Sequence, residues 1–151
     1  MTSSSSAFDG LTTTGEQWIR VIELHTRVNQ FIERALHRRC RLGMNEFLAL
    51  SACARSEDGE MRMQELTEAI SLNQSSVSRL VNRLERTGMT ERRKCDFDRR
   101  GVYTGITENG RNTLKSAVPV YEEALAEALG HVRLDPQMKD LVARFDLNVG
   151  I

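Results

Sequence analysis

The residues best able to do chemistry are three cysteines, three histidines and a central cluster of cations. Cys40, Cys53 and Cys95 are an odd number with no CxxC spacing. That argues against a zinc knuckle or a disulfide framework and for a reducing, cytoplasmic setting. Cys53 falls on an apolar helix face and reads as core. Cys95 follows Arg92, Arg93 and Lys94, and Cys40 follows Arg38 and Arg39. Neighbouring cations lower a thiol pKa, so Cys40 and Cys95 are the candidates for a redox switch. A sensor also needs exposure, which charge alone does not provide. His37 and Cys40 stand three apart and could share a helix face, but two ligands do not make a site, so no metal is expected. Nucleophile–base groupings, phosphate-cradling glycine loops and HExxH are missing, so the chain is not expected to be an enzyme and no cofactor is implied.

The cations carry the stronger signal. Lys+Arg and Asp+Glu are both 21, so the net charge is zero, which excludes a polyanion-binding tail and an acidic disordered chain. Within that balance, residues 73–104 carry eight Lys or Arg against four acids, while residues 42–72 carry two against six. A basic block inside a neutral chain is what a localised nucleic-acid footprint looks like, although a solvated surface has the same charge. There is no apolar run long enough to span a membrane and no secretory pattern in Met1 to Ala7.

These residues need elements to position them. Residues 1–13 are Ser/Thr-rich and read as a disordered tail. From Thr14, a plausible N-cap, to about Arg39, Trp18, Val21, Ile22, Leu24, Val28, Phe31, Ile32, Ala35 and Leu36 recur at helical steps. Gly43 breaks the chain, and Phe47, Leu48, Leu50, Ala52 and Cys53 mark a buried second helix. Ser56–Glu60 reads as a loop, followed by a short helix from Met63 to Ile70 and a polar turn, Ser71-Leu72-Asn73. A helix over Gln74–Thr87 follows, with Asn73 as N-cap and Gly88 at the positive-φ position. Its inward residues are Val77, Leu80, Val81 and Leu84. Thr90–Cys95 and Val102–Ile106 read as two strands joined by a charged loop. Thr107 caps a helix from Glu108 towards His131, kinked near Pro119, and Asp135-Pro136 opens a last helix through Leu141, Val142 and Phe145.

A short helix, a turn, a helix with a small-polar and basic outer face, and a charged hairpin make a winged helix-turn-helix. The expected fold is mainly α with a small β-hairpin wing and a helical dimerisation region. The major groove admits a helix led by small residues, and a long cation at the wing tip reaches the narrow minor groove. Gln74, Ser75, Ser76, Ser78 and Arg79 are placed on the groove, with Arg79 able to grip guanine with two hydrogen bonds. Asn82, Arg83 and Arg86 contact phosphates or nothing. Arg92, Arg93 and Lys94 flank the wing on the DNA backbone. The plainer alternative is that Ser75 and Ser76 only favour the helix start and Arg79 is solvated.

The sequence resembles the MarR (multiple-antibiotic-resistance regulator) family of bacterial transcription factors from residue 14 onward. The resemblance lies in Gln64-Glu65-Leu66-Thr67-Glu68-Ala69, Asn73-Gln74-Ser75-Ser76-Val77-Ser78-Arg79-Leu80-Val81 and Leu84-Glu85-Arg86-Thr87-Gly88-Met89. It continues in Asp98-x-Arg100 and Ile106-Thr107-x-x-Gly110. The chain departs from the family pattern at Thr104, usually aliphatic, and Gly43, where Ser or Thr commonly caps. The resemblance implies a homodimer, with residues 14–41 and 107–151 as dimerisation region and residues 42–106 as DNA-binding domain. It implies a minor-groove role for Arg100 beside Arg99, with Asp98 bracing the loop.

The expected partner is double-stranded DNA carrying an inverted repeat, bound by a transcriptional regulator that acts as a repressor. Relatives bind small aromatic anions, and Trp18, Arg20 and His25 would suit such an effector, although Trp18 equally suits a dimer core. Relatives that sense peroxide or zinc carry their ligands at positions that this chain does not match. A thiol-based regulator of the same fold and a winged-helix protein-interaction module are the alternatives.

Overall fold

The computed structural model describes residues 10–95 and 98–143. Phe145 and the first nine residues of the expected tail lie outside them. The element order is α1 (Thr13–Cys40), α2 (Met44–Arg55), β1 (Glu60–Arg62), α3 (Met63–Ile70), α4 (Gln74–Arg86), β2 (Thr90–Cys95), β3 (Asp98–Ile106), α5 (Glu108–Arg133) and α6 (Lys139–Val142). This is the helical fold with a small antiparallel sheet that the periodicity predicts. The chain divides into two compact units, residues 33–122 and residues 1–32 with 123–151, and the boundaries fall inside α1 and α5. No helix among the described residues is long and apolar enough to cross a membrane.

In the unit of residues 33–122, α2, α3 and α4 pack on one another and α2 and α3 on the sheet. Phe47, Leu50, Leu66, Val77, Leu80, Val81, Leu84 and Ile106 are buried there, and Phe47 stacks on Tyr121 with ring centroids 4.7 Å apart. The sheet has three strands, in the order β1-β3-β2, all antiparallel. β1 is a correction: Glu60, expected in a loop, pairs with Gly105, and Arg62 with Tyr103. Three residues are too few to show alternation, and their partner lies over forty residues away. β3 also begins earlier than expected, at Asp98 rather than Val102.

Helix ends follow local hydrogen bonding, with two corrections. Thr12, not Thr14, caps α1, because its Oγ1 accepts the Gly15 N–H at 3.1 Å. Gly43 lies in the expected break between α1 and α2 with φ −77°, and the positive φ there sits at Arg41, φ 53°. Gly43 has no side chain to cap α2, and the Glu33 carboxylate of α1 substitutes by accepting the Met44 N–H at 2.8 Å. The helix expected from Pro136 starts at Lys139 instead. The Asp135 carboxylate accepts the Gln137 N–H at 3.0 Å and closes a turn there. α5 runs from Glu108 to Arg133 through Pro119.

In the unit of residues 1–32 and 123–151, Leu24, Val28, Ile32, Ala124, Ala128, Leu129, Val132, Met138 and Val142 are buried. Arg27 donates to Asp135 at 2.9 Å, and this bond holds the Asp135 carboxyl below its ordinary value. Leu11, Trp18, Ile22 and Leu134 remain exposed, Trp18 at 64%. The expected apolar stripe on α1 is therefore only partly covered within one chain.

Candidate nucleic-acid interface

α4 is positioned from both sides. Asn73 Oδ1 accepts the Ser76 N–H and the Ser75 hydroxyl, each at 2.8 Å, and so fixes where the helix starts. Val77, Leu80, Val81 and Leu84 are at most 1% exposed. Turning the helix about its axis would bring that stripe into water, at ~1.5–3 kcal/mol per large aliphatic side chain. Gly88, φ 72°, then reverses the chain into β2.

The outward face is thereby assigned. Gln74, Ser75, Arg79, Asn82, Arg83 and Arg86 are exposed, and Ser76 and Ser78 are half-buried. Ser76, Arg79, Asn82, Arg83, Glu85 and Arg86 line an open hollow of about 900 Å³. Three guanidiniums around one carboxylate make that hollow attractive to an anion. Arg79 Nε reaches the Ser75 carbonyl only at 3.4 Å, and Arg83 reaches Glu46 of α2 only at 4.0 Å. Contacts that long, in water, leave both side chains available to another partner.

The β2 cations separate, because alternate residues of a strand face opposite sides. Lys94 is exposed, opposite Val102, as a backbone-contacting residue requires. Arg92 turns to α4, donating through Nε to Glu85 at 3.0 Å and through Nη2 to Asn82 Oδ1 at 3.2 Å. Arg93 turns to the other face. Its Nε donates to Glu91 at 3.1 Å, its Nη1 meets Glu60 at 3.5 Å and its Nη2 donates to the Ile106 carbonyl at 3.0 Å. Its guanidinium lies where a side chain at residue 105 would stand, so Gly105 makes room for it. Arg93, expected on the DNA backbone, is half-buried here and ties β2 across β3 to β1. Sequence could not show this, since Glu60, Gly105 and Arg93 meet only through the strand register. Asp98, Arg99 and Arg100 belong to β3 and Cys95 ends β2, but their side chains lie outside the described residues.

The remaining candidates fall elsewhere. Cys53 is 1% exposed, its thiol reaches the Thr104 carbonyl at 3.7 Å, and burial pushes its pKa up to about 11 despite the nearby Arg93. Cys40 is half-buried beside Arg39, Asn112, Thr113, Ser116 and Val120, around a hollow of about 450 Å³. Trp18 and Arg20 do come together, in a hollow of about 500 Å³ with Thr14, Gln17, Val21, Gln137, Asp140 and Leu141. His25 is not there; it bonds Asn29 at 2.9 Å further along α1. Among the described residues, no three His, Cys, Asp or Glu are placed to hold a metal ion.

Comparison with known proteins agrees with this geometry. Residues 42–101 match the family model described as MarR family. The transcriptional repressor MprA of Escherichia coli K12 is 32% identical over 85 residues, 55% of this chain and 48% of that protein. The chain thus spans about half the length of the curated relatives it matches. Among solved structures, Sco3205 of Streptomyces coelicolor, a MarR family transcriptional regulator in complex with DNA, superposes with a TM-score of 0.73 at 28% identity. That match covers 88% of this chain and 84% of that one. BpsR of Bordetella bronchiseptica, whose DNA binding is regulated by 6-hydroxynicotinic acid, shares the fold with a TM-score of 0.69 at 18% identity over 88% of this chain and 91% of that one.

Proposed function

We propose that the chain is a regulator of the MarR kind, a homodimeric repressor that binds an inverted-repeat operator and is released by a small aromatic or anionic ligand. The observation that carries DNA reading is the orientation of α4, whose buried stripe leaves Gln74 and Ser75 outward and sets Arg79, Arg83 and Arg86 around an electropositive hollow. Residues 42–106 form the DNA-binding domain in this reading, and residues 14–41 and 107–151 the dimerisation region. Gln74, Ser75, Ser76, Ser78 and Arg79 meet the major groove. Arg83, Arg86 and Lys94 meet phosphates, and Arg99 and Arg100 reach the minor groove with Asp98 bracing them.

Release by a ligand draws support from Trp18 and Arg20, an aromatic face and a cation sharing one hollow. MprA is named a repressor, and BpsR responds to an aromatic acid. The ligand acts only through different affinities for the DNA-competent and DNA-incompetent states, and a hundredfold loss of operator affinity needs ~2.7 kcal/mol of that difference.

The test is selection of bound sites from random duplexes, followed by titration at several salt concentrations with and without aromatic carboxylates. An enriched dyad motif is expected, with affinity that falls steeply as salt rises. Arg79→Ala is expected to relax preference at one base pair per half-site. Salt-insensitive binding without a motif would favour the protein-interaction alternative. Release by peroxide, abolished in Cys40→Ser or Cys95→Ser, would put a thiol in the ligand's place.

A further inference from the structure

Asn82 and Glu85 lie three apart on α4, on the same side of the helix, and Arg92 comes up from β2 to hold both. An arginine has donors only, so the atom of Asn82 that faces it is the amide oxygen, whichever way the amide is first assigned. The Asn82 oxygen is thereby engaged, and no described residue takes its NH2 group. Glu85 fixes the guanidinium through Nε and largely neutralises it.

We propose that Arg92 is a positioning residue for DNA recognition: with Glu85 it turns the Asn82 amide so that only N–H donors face the DNA. Held this way, Asn82 suits an acceptor on the nucleic acid, either a phosphate oxygen or an acceptor on a base edge such as guanine O6 or N7. It does not suit adenine, whose paired N7 acceptor and N6 donor need the amide oxygen and nitrogen together. Arg92 itself, already matched by Glu85, is not one of the phosphate contacts. This inference rests on the DNA-binding reading.

The experiment is a double-mutant cycle on the full-length chain, read by operator affinity across a salt series, with thermal melts confirming that each variant folds. Asn82→Ala and Arg92→Met are each expected to weaken binding about three- to tenfold, the range set by one net hydrogen bond. The double variant is expected to be no weaker than Asn82→Ala, because Arg92 acts through Asn82. The slope of log affinity against log salt is expected to stay unchanged in Arg92→Met. Arg92→Lys, which keeps the charge but lacks the planar fork, is expected to bind like Arg92→Met. A uniform loss over all sequences in Asn82→Ala places its donors on phosphate, and relaxed preference at one base pair places them on a base; either supports the proposal. Losses that multiply in the double variant, a slope reduced by about one in Arg92→Met, or full recovery with Arg92→Lys would make Arg92 a plain phosphate contact and overturn it. Failure of the unaltered chain to bind any duplex would remove the DNA-binding reading together with the proposal.

Discussion

Cys53 shows how far a single residue can be understood from its surroundings. Burial raises its thiol pKa from 9.0 to about 11, so the folded chain holds that proton more tightly than the unfolded one. The stability this contributes is complete below pH 9 and is lost as pH rises towards 11, at most roughly 3 kcal/mol. Chemical denaturation of the unaltered chain should show a fall across that window that is smaller in Cys53→Ser, and identical profiles for the two would contradict it. Its apolar setting was legible from helical periodicity, as was the division of α4 into buried Val77, Leu80, Val81 and Leu84 and outward Arg79, Arg83 and Arg86. The tasks of Arg92 and Arg93 were not legible. One binds Asn82 and Glu85, the other Glu60 and Glu91, and strand pairing decides which way each arginine turns. A local charge pattern treats adjacent arginines as equivalent.

Among the elements, the joint between α4 and α5 fixes α4 at its C-terminal end. The Thr107 hydroxyl donates to the Gly88 carbonyl at 2.6 Å and accepts the Gly110 N–H at 3.0 Å. The Met89 carbonyl accepts the Thr107 N–H at 3.1 Å, and Asn109 donates to the Thr87 carbonyl at 3.3 Å. A Cβ on Gly110 would collide with the Met89 carbonyl oxygen, part of the backbone that cannot step aside cheaply. Gly110→Ala should therefore destabilise the fold by ~1–3 kcal/mol, although alanine is ordinarily the better helix former. Thr107→Ala should cost ~0.5–2 kcal/mol as a lost cap. Thermal melts check both, and a Gly110→Ala chain at least as stable as the original would refute the close packing. Cap and turn residues made Asn73, Gly88 and Thr107 readable in advance. β1 was hidden because three residues have no period of their own and depend on a distant partner.

For the whole molecule, the decisive quantity is the apolar surface that one chain leaves uncovered. Trp18 and Ile22 are one helical turn apart on α1 and both are exposed, at 64% and 49%. Covering what remains of a tryptophan side chain is worth about 3 kcal/mol per protomer. A second copy of the same helix would supply that cover, as a two-fold interface uses one patch twice. The chain should then be a dimer at micromolar concentration, with a melting temperature that rises with protein concentration. Trp18, the single tryptophan, reports on this directly: its emission should shift to the red on dilution through dissociation. Ile22→Glu should move the chain to monomer, keep Trp18 red-shifted and weaken binding to a dyad operator far more than to an isolated half-site. An unaltered chain that is folded and monomeric at micromolar concentration, with a concentration-independent melt, would leave two-fold DNA recognition without a scaffold.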